Sequence, residues 1–356
     1  GMVVQQWGGP DSGTTRACVS PTDSGGGRLP DALEDNGGIF WSVAKTGTSP
    51  SRPDTDNDGI KDGDEIFGTA QLDLWAMGTR PGRKDILLEF DWFDDNNDPG
   101  DCGPHTHRPS AAAMAALRYE FSLLSVSNPS REGGINVITD YGQGGPNFTG
   151  GNRVADADGV IAGGISGEDF RAIKAANFSS ARRKYFHYVL MPHRFNSTAS
   201  NGGQARLNGA DMIISLQCWN SDANQSIVAM HELGHNLGLR HGGNEEVNYK
   251  PNYNSVMNYL YSYDGVDTDC TVPGNGAMKF SRGFRAALNE NSLSETAGIC
   301  NGVDVDWNRD GLINPNLVAA DINGDGLRTT LTDNNDLANL NLAAVLLGVG
   351  DGDVPP

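Results

Sequence analysis

The sequence predicts an α+β (mixed α/β) fold, in which helices pack against a twisted mixed sheet and an irregular subdomain follows. Between residues 83 and 240, apolar runs typical of strands alternate with segments whose apolar residues recur at helical spacing. Beyond residue 242 this periodicity is largely lost. Glycine supplies 47 of the 356 residues, which favours a loop-rich protein over a helical bundle.

The regular elements are predicted from the period of their apolar residues. Four strands are expected, at residues 85–93, 135–139, 185–191 and 210–219. Helices are expected after Pro109, over residues 166–177 and 221–240, and between residues 336 and 347. Asp222 is the predicted N-cap of the helix at 221–240.

Charge and composition exclude some classes of function. The net charge of −19 argues against a nucleic-acid partner, which needs a basic face. No apolar run reaches the length of a membrane span. Five cysteines allow two disulfides. We expect one between Cys270 and Cys300, and Cys18 with Cys102 is a weaker candidate pair.

A metal-binding pattern lies in the helix predicted at 221–240. His231 and His235 are four residues apart, so one helix face presents both imidazoles. Glu232 stands beside the first of them, where it can deprotonate a water. Gly238 can end the helix in a left-handed turn that returns His241 to the same ion. Three neutral imidazoles with one open position form a catalytic zinc site.

Two plainer interpretations compete with this one. The helix could simply carry histidines in its core, or it could hold a zinc ion without catalysis. The spacing of the histidines argues against the first alternative, and the presence of Glu232 argues against the second.

The segment HELGHNLGLRH, residues 231–241, resembles the elongated zinc signature of the metzincin metalloendopeptidases. The resemblance implies a methionine turn downstream, and Met257 within SVMNY fits it as an apolar floor under the zinc. It also implies that Tyr259 stabilises the oxyanion, although Tyr261 and Tyr263 are nearby competitors. Gly242 departs from the glutamate of astacins and the aspartate of adamalysins, so the branch is not fixed.

The resemblance implies a function and an organisation for the chain. We expect a secreted, monomeric zinc-dependent endopeptidase that binds a protein or peptide substrate as an extended strand, with residues 210–219 supplying the edge strand that pairs with it. Residues 1–80 are expected to form a Gly/Ser/Pro-rich extension and residues 81–356 a catalytic domain whose subdomains meet near residue 241. The alternatives are a calcium-stabilised extracellular adhesion module with a vestigial zinc site, and a zinc hydrolase acting on another type of bond.

An acidic segment at residues 54–65 predicts a Ca²⁺ site. Carboxylates occupy positions 1, 3, 5, 9 and 12 of a loop with Gly59 at position 6, the oxygen-ligand spacing of a calcium loop. The segment resembles a thrombospondin type 3 repeat, and a solvated acidic turn is the alternative. The expected ligands are Asp54, Asp56, Asp58, Asp62 and Glu65.

Two later segments repeat the first half of this pattern. Each has oxygen ligands at positions 1, 3 and 5 but an irregular end, which Asp304 or the later aspartates could complete, so Asx-rich turns are the alternative. Their candidate calcium ligands are Asp306, Asn308, Asp310, Asp321, Asn323 and Asp325. Elsewhere, His105 and His107 are interpreted as surface histidines.

Overall fold

The computed structural model describes residues 22–94, 102–155, 158–195, 202–300 and 302–345. Ten strands occur in this part of the chain: β1 Asp85–Phe93, β2 Asn136–Asp140, β3 Arg153–Val154, β4 Val160–Ile161, β5 Phe186–Met191, β6 Arg194–Phe195, β7 Gly202–Ala205, β8 Asp211–Ser215, β9 Leu288–Asn289 and β10 Thr330–Leu331.

Helices connect and cover these strands. The α-helices are α1 Asp62–Phe67, α2 Leu74–Met77, α3 Ala111–Ser122, α4 Glu168–Asn177, α5 Asp222–Asn236 and α6 Asp336–Asn339. Short 3-10 helices lie at Asp31–Leu33, Gly164–Ser166, Gln217–Trp219 and Leu342–Val345. No helix in the described residues is long and apolar enough to cross a membrane.

One mixed sheet organises the fold. Its strands follow the order β2-β1-β5-β8-β7, and β3 extends the pairing along β1. The pairs β1–β2, β1–β5 and β5–β8 are parallel, whereas β7 pairs antiparallel with β8. The predicted mixed α+β fold is therefore confirmed. The expectation that residues 210–219 form an edge is wrong, because β7 covers β8 and is itself the edge strand.

Both faces of the sheet are buried. All nine residues of β1 are buried, as expected for a central strand of a parallel sheet covered on two sides. Ile86, Leu88 and Phe90 face the core formed with α3 and α5. Leu87 and Phe93 face a second core, which includes residues of α4. The alternation follows from the period-two geometry of a strand.

The predicted strands and helices are present in the structure, but several begin or end at other residues than predicted. β1 occupies the predicted residues, and β2, β5 and β8 lie at or within about a residue or two of the predicted ranges, except that β8 is shorter. α5 begins at Asp222, and its N-cap is Ser221 and not the predicted Asp222: the Ser221 hydroxyl accepts from Asn224 N at 3.2 Å. The late helix is short, since α6 spans four residues.

A buried ion-pair network ties β1 to β2 and to the segment before β5. The Arg182 guanidinium donates to Glu89 of β1 and lies 2.7 Å from Asp140 of β2. The side chains of Glu89 and Asp140 are fully buried, and that of Arg182 is 7% exposed. Burial raises the pKa of Glu89 to about 7, with Arg182 opposing the rise. Arg182 thus supplies the positive charge that offsets the two buried carboxylates.

Replacing Arg182 with Met should destabilise the protein by about 3–5 kcal/mol, because it leaves two buried carboxylates without a counter-charge. A carboxyl whose folded-state pKa is raised loses stability as pH rises from its unfolded pKa through its folded pKa. The deficit should therefore grow from about pH 5 to about pH 8. Urea unfolding measures it, with Arg183→Met, an exposed neighbour, as the matched control. Equal deficits for the two variants would contradict this role.

Candidate metal centre and active site

The sequence of α5 and the turn after it bring three histidines together. His231 and His235 lie one turn apart on α5, which ends at Asn236. Gly238 then adopts φ +98°, a left-handed conformation, and its N–H donates to His235 O at 2.9 Å. This turn redirects the chain so that His241 faces the helix.

The three imidazoles converge on one point. Their ligand nitrogens all lie within 4.8 Å of one another, and the two Nε2 atoms of His231 and His235 are 3.2 Å apart. Ring centroids are 4.8 Å apart for His231 and His235, and 4.8 Å apart for His235 and His241. This arrangement fits a single metal ion with imidazole ligands.

Backbone carbonyls fix the tautomers of the two helix histidines. His231 Nδ1 lies 2.7 Å from Val256 O, and His235 Nδ1 lies 2.7 Å from Leu239 O. A carbonyl oxygen only accepts, so each Nδ1 carries the proton and donates it. Each Nε2 therefore presents a lone pair, as a metal ligand requires.

Burial also keeps these imidazoles neutral. It lowers the pKa of His231 and of His241 to about 4, and that of His235 well below its usual value. The neighbouring histidines lower the pKa of His235 further. Neutral imidazole is the form that binds metal.

Glu232 follows His231 on α5, and its charge acts on Tyr259 at the cluster. Its side chain is buried, and Oε2 has no hydrogen-bond partner. Burial raises the pKa of Glu232 to about 8, because the carboxylate has lost its hydration. A cation at the imidazole cluster would compensate for that loss. The residues present therefore fit a zinc ion.

The edge strand β7 closes over Glu232. A Cβ built on Gly203 would lie 2.5 Å from the Glu232 Cγ and Oε1 atoms. Any side chain at this position would displace the carboxylate. Glycine at 203 is therefore what allows the β7 backbone to approach Glu232 so closely.

Met257 lies directly beneath α5. Its side chain is fully buried, and a Cβ built on Gly234 would overlap its Sδ atom. The close contact between helix and methionine needs glycine at position 234. Sequence inspection did not identify this requirement, although Gly234 stands inside the histidine motif.

Asp336, one of the later aspartates that the sequence offered as a calcium ligand, instead holds the segment around Met257. This buried carboxylate accepts from the hydroxyls of Ser255 at 2.6 Å and Tyr253 at 2.8 Å, and from Ser281 N at 2.8 Å. The Ser255 hydroxyl in turn accepts from Met257 N at 3.2 Å. The start of α6 thus stabilises the turn whose Val256 carbonyl orients His231.

Among the three neighbouring tyrosines, Tyr259 lies at the cluster. Its ring centroid is 4.2 Å from that of His241, and the side chain is 45% exposed. Burial raises the pKa of Tyr259 to about 12. Tyr261 is fully buried and donates to Pro251 O at 2.7 Å, which assigns it to the core. Tyr263 lies near Gly202 of β7.

The acidic loop packs against the central sheet. Asp54, Asp56 and Asp58 converge, and Asp58 and Glu65 converge with Asp85 of β1. Asp85 N donates to Asp58 Oδ2 at 2.7 Å. The sequence did not single out Asp85 as a ligand, because it lies outside the loop motif.

Two further details decide how this loop fits a cation. Both Glu65 oxygens are buried without a hydrogen-bond partner, and burial raises the pKa of Glu65 well above its usual value. The pKa of Asp56 rises to about 8 for the same reason, with Asp54 adding to the rise. Asp62 belongs to neither converging group, and its two oxygens accept from Thr55 N and Oγ1 at 2.9 and 2.7 Å. Its role as a ligand stays a prediction.

The two C-terminal acidic loops are closed by their own backbone. Gly311 N donates to Asp306 Oδ2 and Gly326 N to Asp321 Oδ2, both at 2.8 Å. Asn308 and Asn323 donate to Asp310 and Asp325, respectively, at 3.0 Å. Neither loop is among the groups of three or more His, Cys, Asp or Glu side chains that converge in the described residues.

Two glutamates accept hydrogen bonds from the backbone of these loops. The sequence predicted that Asp304 or later aspartates would complete the loops. Glu295 accepts from Trp307 N at 2.9 Å and from Asn314 N at 2.7 Å. Glu290 accepts from Ile322 N at 2.8 Å. These glutamates precede the loops in sequence, so loop spacing could not reveal them.

Cysteines and the remaining histidines correct two further expectations. Cys270 and Cys300 form a disulfide, as expected. Cys102 pairs with Cys218, so the candidate pair of Cys18 and Cys102 is wrong; Cys18 itself lies outside the described residues. His107 is buried, not on the surface, and both it and His105 lie against His193.

Replacing Gly234 with Ala should cost about 1–3 kcal/mol of stability, because the added methyl overpacks the contact with Met257. Met257→Ala alone should cost about 2–5 kcal/mol. The double variant should lose less than the sum, since removing the methionine makes room for the new methyl group. Denaturant unfolding of the four proteins measures this coupling, and strictly additive losses would contradict the contact.

Comparison with known families gives one match. The family model described as Peptidase_M10, matrixin, matches residues 179–270. The matched segment contains α5, His241 and Met257, and it leaves out the acidic loop before β1. Searches of curated proteins and of solved structures gave no significant match. The matrixin match supports a metzincin-type domain with zinc-dependent metalloprotease activity in general.

Proposed function

We propose that this protein is a secreted zinc-dependent endopeptidase that hydrolyses peptide bonds. One observation carries the proposal: two imidazoles with lone pairs aligned by backbone carbonyls, a third from the glycine turn, and a buried carboxylate without a hydrogen bond beside them. His231, His235 and His241 are the proposed zinc ligands, and Glu232 is the proposed general base.

Zinc held by these histidines would supply a Lewis acid that polarises the scissile carbonyl. Glu232 Oε2 would accept a proton from the attacking water and then deliver it to the leaving amine. The Tyr259 hydroxyl, which the raised pKa keeps protonated, would donate a hydrogen bond to the developing oxyanion.

The substrate is proposed to bind as an extended strand along β7. This strand is the sheet edge, and its Gly203 backbone passes against Glu232. A peptide that pairs with β7 would therefore bring its backbone carbonyls close to the imidazole cluster. β7 would thus take the substrate-pairing role that we expected for residues 210–219.

Secretion is supported by the covalent chemistry of the chain. Two disulfides, Cys102–Cys218 and Cys270–Cys300, are typical of proteins in oxidising compartments. The buried carboxylates of the acidic loop also suit the millimolar calcium found outside cells.

The proposed calcium site comprises Asp54, Asp56, Asp58, Glu65 and Asp85. Their carboxylates converge in the interior, where several negative charges need a cation. Calcium bound there would join the segment before α1 to β1 and so stabilise the catalytic sheet. The loops at 306–314 and 321–326 remain weaker proposals, because each offers only two carboxylates at its first three ligand positions.

Replacing Glu232 with Gln should lower kcat by about 10²–10⁴-fold, because the variant has no base for the attacking water. Its zinc content should equal that of the unchanged protein, since the three imidazoles remain. Casein or a peptide library serves as substrate, and products are identified by mass spectrometry. Glu246→Gln, an exposed glutamate near the site, is the matched control.

Full activity of Glu232→Gln would remove this residue from the mechanism. No chelator-sensitive cleavage by the zinc-loaded chain would favour the calcium-stabilised adhesion module, and cleavage of another bond type would favour a different hydrolase.

Removing calcium with a calcium-selective chelator should lower stability more than it lowers activity per folded molecule. At a calcium concentration 100 times Kd, the bound ion contributes about 2.7 kcal/mol. The melting temperature should fall on chelation in the unchanged protein and in Asp269→Asn, an exposed control. The fall should be clearly smaller in Glu65→Gln. The same calcium response in Glu65→Gln would refute the site.

A further inference from the structure

A second histidine cluster lies away from α5. His105 and His107 belong to the segment between β1 and α3, and His193 follows β5 by two residues. The chain has only seven histidines, and six of them belong to this cluster or to the one on α5. Histidine is therefore concentrated at two points of the fold.

Three ring nitrogens meet in this cluster. His107 Nε2 lies 3.1 Å from His105 Nε2 and 3.2 Å from His193 Nδ1. The ring planes of neighbouring pairs are inclined by 59° to 78°, so the rings are splayed around a point and not stacked. His107 and His193 are 1% and 3% exposed, respectively.

Two ring nitrogens crowd His107 Nε2 in this cluster. An imidazole nitrogen carries either one proton or one in-plane lone pair. His107 Nε2 therefore makes one directed hydrogen bond, yet two other ring nitrogens lie within hydrogen-bond distance of it. A cation at the centre would accept a lone pair from all three rings at once.

The proposed zinc centre on α5 provides an internal comparison. There the Nε2 atoms of His231 and His235 are 3.2 Å apart, the same spacing as in the second cluster. Two ligands at tetrahedral angles and zinc–nitrogen distances near 2.05 Å are separated by about 3.3 Å. The two distances at His107 Nε2, 3.1 and 3.2 Å, are therefore close to the spacing of ligands on a tetrahedral ion.

We propose that His105, His107 and His193 bind a second divalent transition-metal ion, with Zn²⁺ as the ion of choice for imidazole ligands. The Cys102 sulfur lies 3.9 Å from His105 Nδ1, but it is bonded to Cys218 and so is not a thiolate ligand. Three imidazoles leave one tetrahedral position for a fourth ligand.

The ion would fasten the β1–α3 segment to the end of β5. The His193 carbonyl already accepts from Ser215 Oγ at 3.0 Å and from Gln217 N at 3.1 Å, which links it to the end of β8. Metal and disulfide would therefore hold the same segment at two points. This role is structural and does not depend on the proposed peptidase activity.

Zinc stoichiometry tests the proposal. The full chain is stripped with a chelator, reloaded with zinc in excess calcium to fill the carboxylate sites, freed of unbound metal and assayed by mass spectrometry. The unchanged protein should hold two zinc ions per chain. His105→Ala and His107→Gln should each hold one and keep their peptide cleavage, whereas His235→Gln should lose the other ion and the cleavage.

Cobalt gives a second measurement that does not require activity. In His235→Gln, added Co²⁺ should produce visible absorption of a tetrahedral site, and adding His105→Ala should abolish it. Arg108→Ala, in the same segment, controls for loop disturbance and should keep both ions. One zinc ion in the unchanged protein, or two in folded His105→Ala, would overturn the proposal. Two ions without cleavage would overturn only the proposed function.

Discussion

The hydrogen bonds from His231 Nδ1 to Val256 O and from His235 Nδ1 to Leu239 O constrain the rest of the structure. They select the tautomer that aims each Nε2 at one point, and their acceptors lie in two separate turns. The turn that contains Leu239 depends on Gly238 and its left-handed backbone. The turn that contains Val256 depends on Asp336, whose contacts with Ser255 hold the segment around Met257. A helix that carries two histidines thus becomes a candidate metal centre only when tertiary structure supplies both carbonyls.

Buried carboxylates occur in two different environments in this protein. In the sheet, Arg182 of the protein itself neutralises Glu89 and Asp140. Glu232 and Glu65 instead have buried oxygens without hydrogen-bond partners. An isolated buried carboxylate costs several kcal/mol, so these positions favour a cation from outside the chain. The proposed zinc and calcium ions would supply it, and both would then contribute to the stability of the same sheet.

Local patterns in the sequence predict much of this arrangement. The spacing of apolar residues predicts the strand at 85–93 and the helix that carries His231. The spacing of the histidines predicts the turn at Gly238. Contacts between distant segments escape such reasoning. Asp85 joins the acidic loop from a strand, and His193 meets His107 across 86 residues of sequence. The sequence mispredicts the edge strand for a related reason, because the Gly-rich residues of β7 give little apolar signal. The order of strands in a sheet depends on how the strands pack, and the spacing of apolar residues within one strand does not determine it.

The most direct test of the account is anomalous diffraction at the zinc absorption edge, on crystals of the chain grown with zinc. The account predicts a peak bonded to the Nε2 atoms of His231 and His235 and to a ring nitrogen of His241, with Glu232 beside it. It would be contradicted by crystals in which this point shows no anomalous signal and the three imidazoles hydrogen-bond to water or to one another.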